Sequence, residues 1–258
     1  MRHKLGLVLS GGGAKGAAHI GVLKAMAEHN VEATCIAGTS AGAVVGAFYA
    51  SGLEAEEILG IFKNSSLFSP SKIAFGKPGI MDLDKFLGYF EQHLKVQNFE
   101  QLKKEVYIIA TDLIEGKMEI INSGSLVSAM LASSAFPLIF SPFKSETTVY
   151  ADGGITNNFP VEPLIEKCEY ILGSYVSPLK KITADSLSNS WDVVDRAYRI
   201  SNRFTSIQKF DKCTWVIRPE ELEQYGTFEM NKIDKIFEIG YRHALQIIPA
   251  VVQRMKFH

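Results

Sequence analysis

The sequence has no excess of charge of either sign. Lys and Arg together number 27 and Asp and Glu number 28, so the formal net charge is −1. This balance gives no electrostatic argument for binding nucleic acid. Cysteine is also scarce: the three cysteines, Cys35, Cys168 and Cys213, show no C-x-x-C spacing and lie in or beside apolar runs. We therefore expect buried, reduced thiols and neither a metal site nor a disulfide.

Long hydrophobic runs are missing as well. No stretch approaches the ~18 apolar residues that a membrane-spanning helix needs. The apolar run near the N-terminus, Leu5–Leu9, is too short for the core of a signal peptide because a glycine series follows it. The expectation is a cytoplasmic protein, and contact with a membrane surface stays open.

The remaining composition is that of a folded α/β protein. Apolar residues make up 47% of the 258 positions, enough for a large core, and neither a repeat nor a low-complexity linker is present. These features predict one domain over residues 1–258, with a helical C-terminal part over 189–258.

Strand-like and helix-like segments alternate, which favours a three-layer α/β/α fold with a mainly parallel central sheet. The predicted strands are Leu5–Leu9, Ala33–Ala37, Val106–Leu113, Met118–Ile121, Thr148–Ala151, Tyr170–Val176 and Thr214–Arg218. The predicted helices are Ala17–His29, Ala41–Tyr49, Glu54–Phe62 and Ser125–Ser134.

Two segments allow two interpretations each. Residues 64–80 mix Ser, Pro and Gly with large apolar residues, so they fit either a mobile lid over a site or a packed connector. Near the C-terminus, apolar residues recur at helical spacing from Ile233 to Met255, and Pro249 is expected to kink or restart that helix. Such a helix usually packs on a core, and a membrane-surface role is the alternative.

The pentapeptide Gly38-Thr39-Ser40-Ala41-Gly42 has the G-x-S-x-G pattern of a nucleophile elbow. In such an elbow the serine occupies a strained turn between a strand and a helix, and the flanking Gly38 and Gly42 allow the sharp bend. A predicted strand precedes Ser40 and a predicted helix follows it. The context therefore favours a nucleophilic serine over an ordinary tight turn.

A second glycine motif, Ser10-Gly11-Gly12-Gly13-Ala14-Lys15-Gly16, lies between the first strand and the first helix. It lacks the G-K-[ST] of a P-loop. It matches a dinucleotide fingerprint through Gly11, Gly13 and Gly16, but the acid at the required spacing, Glu32, precedes the second strand instead of ending it. Free backbone N–H groups of consecutive glycines at a helix N-terminus also suit an oxyanion. The oxyanion hole is the best of the three interpretations.

Lys15 stands in the first turn of that helix, where the helix dipole disfavours a cation. It is either a solvated lysine or the partner of a carboxylate or of an anionic substrate group.

A serine nucleophile needs a base, and the six histidines provide no convincing one. The single internal candidate late in the chain, His243, lies in an amphipathic helix and fits a surface or packing role. Asp152 is better placed because Asp152-Gly153-Gly154 follows a strand-like segment, and two glycines allow a close approach to another loop. The alternative for this tripeptide is a simple turn. Partial burial would raise the pKa of the carboxyl and make it a better base.

The glycine loop, the G-x-S-x-G elbow and the D-G-G turn, in this order, resemble the patatin-like phospholipase family. Further stretches carry the resemblance: residues 18–23 (AHIGVL), residues 132–142 around Ala132-Ser133-Ser134-Ala135-Phe136-Pro137, and Asn157-Asn158-x-Pro160. The matching stretches run from Leu5 to Val161, and no motif was recognised after about residue 180.

The resemblance implies a three-layer α/β fold and hydrolysis of acyl esters, with a lipid or other acyl ester as substrate. Ser40 would be the nucleophile and Asp152 the general base. The amides of Gly11, Gly12 and Gly13, together with that of Ala41, would form the oxyanion hole. Many relatives have Arg at the position of Lys15, and Lys does not make the bidentate contacts of Arg. The dyad chemistry implies neither a metal nor a cofactor.

Two other hypotheses remain open at this level. The Gly11–Gly16 loop is compatible with a nucleotide-binding protein, which would leave the elbow and Asp152 without a role. A regulatory or lipid-binding member of the family would retain the dyad and turn over little. The sequence specifies neither the acyl-chain length nor the head group nor the oligomeric state.

Overall fold

The computed structural model describes residues 4–65, 73, 74, 76 and 78–256. Its strands are β1 (Leu5–Leu9), β2 (Cys35–Thr39), β3 (Glu105–Asp112), β4 (Lys117–Ile121), β5 (Phe143–Lys144), β6 (Val149–Asp152), β7 (Tyr170–Ser174) and β8 (Trp215–Ile217). Its α-helices are α1 (Ala17–Glu28), α2 (Ala41–Ala50), α3 (Ala55–Asn64), α4 (Leu87–Glu91), α5 (Leu126–Ser134), α6 (Ser190–Ile207) and α7 (Ile233–Lys256).

The strands form one eight-stranded sheet in the order β5-β6-β3-β2-β1-β7-β8, with β4 paired to β3 outside this path. The pairs β3–β2, β2–β1, β1–β7 and β7–β8 are parallel, whereas β4, β5 and β6 join by antiparallel pairs. The predicted mainly parallel α/β sheet is confirmed. Loops that follow β1 and β2 meet at the same edge of such a sheet, which is where ligands bind in open α/β folds.

Alternation along the strands sends side chains into two apolar clusters, one on each face of the sheet. Leu7 and Leu9 of β1 belong to the larger cluster, which also contains residues of α1, α2, α3, α5 and α7. Val8, between them, belongs to the cluster on the other face with Phe159 and Leu164. The parallel strands β1, β2 and β7 are therefore buried on both sides, as parallel sheets require.

The predicted strands and helices are present, with their ends shifted by a few residues. The strand before Ser40 is Cys35–Thr39 instead of Ala33–Ala37, because Gly38 pairs with Leu9 of β1 and Thr39 with Ile109 of β3. Helix α7 continues through Pro249 as one helix, so the expected restart is wrong. This helix packs chiefly on α1.

Three further expectations concern the segment 64–80, the cysteines and membrane-spanning helices. Most of the segment 64–80, interpreted as a lid or a packed connector, lies outside the described residues. All three cysteines are free. Among the described residues, no helix has the length and apolarity needed to cross a membrane.

Candidate active site

Ser40 occupies the sharp turn between β2 and α2 with φ 53° and ψ −123°. A positive φ is costly for a residue with a side chain, and such strain is characteristic of functional turns. The two flanking glycines make the turn possible because neither position has room for a side chain. A Cβ at Gly42 would overlap the Leu9 carbonyl, and one at Gly38 would lie 2.7 Å from the Gly42 oxygen. The predicted elbow is present.

Ser133 braces this turn from α5. Its hydroxyl accepts a hydrogen bond of 2.8 Å from the Ser40 backbone N–H and donates one of 2.5 Å to the Ile109 carbonyl of β3. The side chain is completely buried. In the sequence, Ser133 stands out only as part of a family-like stretch, with no role of its own. Its position at the end of a predicted helix was the signal available.

Asp152 is the last residue of β6 and lies against the elbow. The Ser40 hydroxyl donates a hydrogen bond of 2.6 Å to Oδ2 of Asp152, and the Gly154 N–H donates one of 2.7 Å to Oδ1. Burial raises the pKa of the Asp152 carboxyl to about 6, although the hydrogen bonds from Ser40, Gly154 and Tyr198 act in the opposite direction. A buried carboxylate with this pKa can accept a proton near neutral pH.

Both glycines of the D-G-G turn are required by their surroundings. A Cβ at Gly153 would overlap the backbone of Ile109, and a Cβ at Gly154 would overlap the hydroxyl of Tyr198. The turn therefore lies against β3 on one side and against α6 on the other. Two bare backbone positions bring the Asp152 carboxylate close to the elbow.

The glycine loop presents some of its predicted amides and not others. The Gly12, Gly13 and Ala41 N–H groups donate no hydrogen bond to any described residue. The Gly11 N–H, assigned to the hole from the sequence, instead donates to the Asn158 carbonyl at 3.1 Å. Its assignment as a donor is corrected: Gly11 joins the loop to the segment after Asp152, and the free amides are those of Gly12, Gly13 and Ala41.

The shape of this loop depends on Gly13 and Gly16. Gly13 has φ +58°, and a Cβ there would overlap the carbonyl of Thr227, which accepts a hydrogen bond of 2.7 Å from the Ala14 N–H. A Cβ at Gly16 would lie 2.7 Å from the Cβ of Ala41. The loop is thus pressed against both the elbow helix and the segment before α7.

Lys15 is buried rather than solvated, with 2% of its surface exposed. Burial lowers the pKa of its ammonium to about 7, Arg199 lowers it further, and Asp195 opposes the shift. The solvated-lysine interpretation is therefore wrong. Asp195 itself is ion-paired with Arg199 at 2.7 Å, and Lys15 lines the same pocket as Ser40 and Asp152.

The polar face of α6 was missed by sequence reasoning. Asp195, Tyr198, Arg199 and Asn202 all line the pocket, although they come from the part of the chain in which no motif was recognised. Their spacing of i, i+3, i+4 and i+7 puts them on one side of a helix. A polar stripe of this kind, on a helix whose opposite side is apolar, was the signal that could have found them.

The rest of the pocket is largely apolar. The apolar lining comes from α2, α3 and the segments around α4 and β5. These residues are Val44, Ile61, Phe62, Phe86, Phe90 and Phe140. The rings of Phe86 and Phe140 meet edge to face at 5.9 Å. An apolar wall of this kind suits a hydrocarbon chain. Asn158 also lines the pocket, and its buried side-chain nitrogen has no hydrogen-bond partner among the described residues.

No histidine is among the described residues that line this pocket. His243 lies on α7, 3.7 Å from Glu221, in agreement with a surface role. His19 is fully buried beneath the glycine loop, where its Nε2 lies 2.8 Å from the Ser10 carbonyl and its Nδ1 2.7 Å from the Ser174 hydroxyl. Because a carbonyl only accepts, Nε2 carries the proton and Nδ1 accepts from Ser174.

Glu32, which a nucleotide-binding site would need, lies before β2 and is 3.8 Å from Lys104. It is at the opposite end of that strand from Ser40. Glu32 is therefore far from the glycine loop and does not complete a dinucleotide site there.

The geometry can be compared with known proteins. The model of the patatin-like phospholipase family matches residues 7–165. The chain belongs to the patatin-like phospholipase family. As a patatin-like protein it carries the elbow, the glycine loop and the D-G-G turn within the matched residues.

Curated relatives are similar over much of this chain. Lysophospholipase NTE1 of Pyricularia oryzae is 27% identical over 277 residues, covering 95% of this chain and 18% of the relative. An uncharacterised NTE family protein of Mycobacterium bovis is 35% identical over 167 residues, covering 62% of this chain and 45% of the relative. The patatin-like chain thus spans less than half of the length of either relative.

Among solved structures, VipD from Legionella pneumophila is similar with a TM-score of 0.53 and 15% sequence identity. The likeness covers 97% of this chain and 67% of that structure. At this identity the likeness concerns the fold, and it agrees with the patatin-like arrangement of the sheet.

Proposed function

We propose that this protein is a serine acyl hydrolase in which Ser40 and Asp152 form a catalytic dyad. The observation that carries the proposal is the hydrogen bond of 2.6 Å from the Ser40 hydroxyl to the buried Asp152 carboxylate. The substrate is a lysophospholipid, a phospholipid or a related acyl ester, in line with the family and with the name of the relative from Pyricularia oryzae.

In the first half of the reaction, the Ser40 oxygen attacks the ester carbonyl carbon while Asp152 takes the hydroxyl proton. The carbonyl oxygen becomes an oxyanion, which accepts hydrogen bonds from the Gly12, Gly13 and Ala41 amides. Such preorganised donors commonly contribute ~3 kcal/mol each to transition-state stabilisation. When the C–O bond breaks, Asp152 returns the proton to the departing alcohol, and the acyl group stays on Ser40.

In the second half, water attacks the acyl-enzyme. Asp152 accepts a proton from this water, the same amides hold the second oxyanion, and the fatty acid leaves as Ser40 regains the proton. The apolar wall around Phe86 and Phe90 would hold the acyl chain. No step requires a metal or a cofactor.

The test compares four proteins: wild type, Ser40→Ala, Asp152→Asn and the control Ser51→Ala. The Ser51 hydroxyl donates to the Phe48 carbonyl at the end of α2, away from the dyad. We expect fluorophosphonate to label wild type and Ser51→Ala and to leave Ser40→Ala unlabelled. Turnover of lysophospholipids and short-chain esters should fall at least about 1,000-fold in both dyad variants. Full esterase activity in Ser40→Ala would overturn the proposal.

We also propose that the protein meets its substrate at a membrane surface through α6. The side of α6 opposite the pocket carries Val193, Ile200, Phe204 and Ile207, and Phe204 is 63% exposed. Exposed cations lie on and before the same helix, at Arg203, Lys180 and Lys181. Apolar side chains flanked by cations suit the interface of an anionic bilayer.

Vesicle co-sedimentation tests this contact. We expect wild type to bind vesicles of phosphatidylcholine with 25% phosphatidylglycerol and Phe204→Ser/Ile200→Ser to bind at least fivefold less. The control is Ile114→Ser, which removes an exposed apolar residue from the β3–β4 turn. Equal binding of all three proteins would overturn this contact. A dimer that forms in wild type and dissociates only in the α6 variant would also overturn it, because the apolar face would then be covered by a second copy. Either result would leave the dyad proposal untouched. A cytoplasmic location stays a prediction.

A further inference from the structure

Helix α6 brings a phenol to the catalytic carboxylate. Tyr198 and Asn202 lie one turn apart on the side of α6 that faces the pocket. The helix contacts the short turn Gly153–Ile155 that follows Asp152. The dyad therefore has a neighbour from a part of the chain that no motif marks.

The bare face of Gly154 is the place where the two groups approach. A Cβ at Gly154 would overlap the Tyr198 hydroxyl and would lie 3.0 Å from Oδ1 of Asp152. Glycine thus leaves room for the phenol oxygen on the side of the carboxylate that is turned away from Ser40. The ring of Phe136 packs against the Tyr198 ring at 5.1 Å with an interplanar angle of 85°, which fixes its orientation.

The Tyr198 phenol has two polar neighbours. Its hydroxyl interacts with the Asp152 carboxylate on one side and with the Asn202 side chain on the other. Burial and, next, the charge of Asp152 raise the pKa of the phenol well above its ordinary value. The hydroxyl consequently stays protonated and remains a donor throughout the pH range in which a carboxylate base works.

We propose that Tyr198 is a positioning residue for the general base, holding Oδ1 of Asp152 so that Oδ2 faces Ser40. This inference rests on the proposed hydrolase function. The Gly154 N–H donates to Oδ1, and the Tyr198 hydroxyl lies on the same side of the carboxylate, at Gly154, so both donors leave Oδ2 for the nucleophile. Without the phenol the carboxylate would keep one of these donors and gain rotational freedom, which a dyad tolerates poorly because it has no third member.

Tyr198 also acts on the charge of the base. A hydrogen bond donated to a carboxylate favours its ionised form. Removal of the hydroxyl should therefore raise the pKa of Asp152 and move the acidic limb of the activity profile to higher pH. A residue with only a packing role would not move this limb.

Other charged groups face the same space and must be considered in the measurement. They are Lys15 from the glycine loop and Asp195 and Arg199 from α6. Lys15 has a pKa of about 7 and will titrate within the assay range. Because its titration is common to wild type and variants, the informative quantity is the difference between their profiles.

The experiment measures fatty-acid release by mass spectrometry, a readout that does not itself change with pH, for wild type, Tyr198→Phe and Tyr107→Phe. The control Tyr107 donates its hydroxyl to Glu105 at 2.8 Å, at the other end of β3. We expect Tyr198→Phe to lose about tenfold in kcat at pH 6 and less at pH 8. KM should stay within about twofold. Tyr107→Phe should match wild type.

Asn202→Ala provides a second variant, since Asn202 lies one turn from Tyr198 on the same side of α6 and interacts with its hydroxyl. It should move the acidic limb in the same direction by a smaller amount, and it decides the matter if Tyr198→Phe does not fold. A rate loss that is equal at every pH, or an unmoved acidic limb, would overturn the inference. Retained turnover in Ser40→Ala would instead overturn the hydrolase proposal, so the two failures are distinguishable.

Discussion

The Ser40 hydroxyl lies 2.6 Å from Oδ2 of Asp152, although 112 residues separate the two along the chain. The elbow after β2 supplies the serine, and the end of β6 supplies the acid. Both strands flank β3. On the serine side, the Ile109 carbonyl of β3 accepts a hydrogen bond from Ser133, which also binds the Ser40 N–H. On the acid side, Ala110 of β3 is the register partner of Asp152. One strand thus sets the distance between the Ser40 hydroxyl and the Asp152 carboxylate.

The pH dependence of kcat/KM should report the ionisation of Asp152. The carboxyl must be ionised to accept a proton, and burial raises its pKa to about 6. Activity should therefore be lost as the pH falls through about 6, by about tenfold for each further pH unit. Initial rates between pH 4 and 9 on a neutral short-chain ester check this. A flat profile down to pH 4 would show that a buried Asp152 is not the group being titrated.

Ser133→Ala should damage both stability and activity. It removes the partner of the Ser40 N–H and the bond to the Ile109 carbonyl, which costs about 1–3 kcal/mol of unfolding free energy. The loss of the brace should also lower kcat. Urea unfolding and turnover measure the two effects.

The neighbouring serine is the matched control. Ser134 has a buried hydroxyl without a hydrogen-bond partner among the described residues. Ser134→Ala should leave unfolding free energy unchanged or raise it slightly, because no bond is lost. Equal destabilisation by the two substitutions would contradict the role of Ser133 as a brace.

His19 should make stability fall in mild acid. Burial lowers its pKa from 6.5 to about 4, so the unfolded chain binds a proton that the folded protein excludes. The free energy of unfolding is therefore unaffected by His19 above the pKa of the unfolded chain, about 6.5. It falls as the pH drops from about 6.5 towards 4, with a slope of up to about 1.4 kcal/mol per pH unit. Unfolding of wild type and of His19→Gln at several pH values tests this. The variant should lose that part of the slope, and identical slopes would contradict the assignment.

Gly13→Ala should distort the glycine loop. The position has φ +58°, and an added Cβ would overlap the Thr227 carbonyl, so strain and the clash should lower the melting temperature and abolish most turnover. Gly60→Ala is the control because Gly60 lies within α3 with nothing within 4 Å of an added Cβ. That substitution should stabilise the protein by about 0.5–1 kcal/mol. A harmless Gly13→Ala would show that the loop conformation is adaptable.

Much of the site follows from local patterns. The G-x-S-x-G pentapeptide specifies its own strained turn, since only glycines at positions 38 and 42 permit the approach to the strands, and Ser40 adopts the expected positive φ. The glycine loop and the D-G-G turn are legible for the same reason. The end of β2 is harder to predict from the sequence. Gly38 and Thr39 belong to β2 because β1 and β3 supply their pairing partners, and this pairing outweighs the weak strand propensity of glycine.

Distant contacts decided the remainder. The Gly11 amide binds Asn158, and Lys15 is enclosed beside Arg199 and Asp195. Neither contact can be predicted from the residues next to the glycine loop in the sequence. That residues 1–258 form one domain stays a prediction.

Local motifs in the sequence are enough to indicate the family, the order of the three motifs and the Ser40–Asp152 pair proposed here as the dyad. Backbone conformation at a glycine or a strained serine is set by a few adjacent residues, so those features can be read locally. Tertiary contacts set which amides remain free, bury Lys15 and bring Tyr198 to Asp152 across Gly154. These depend on how α6 packs over the edge of the sheet, a result of burial and steric fit between segments far apart in the chain.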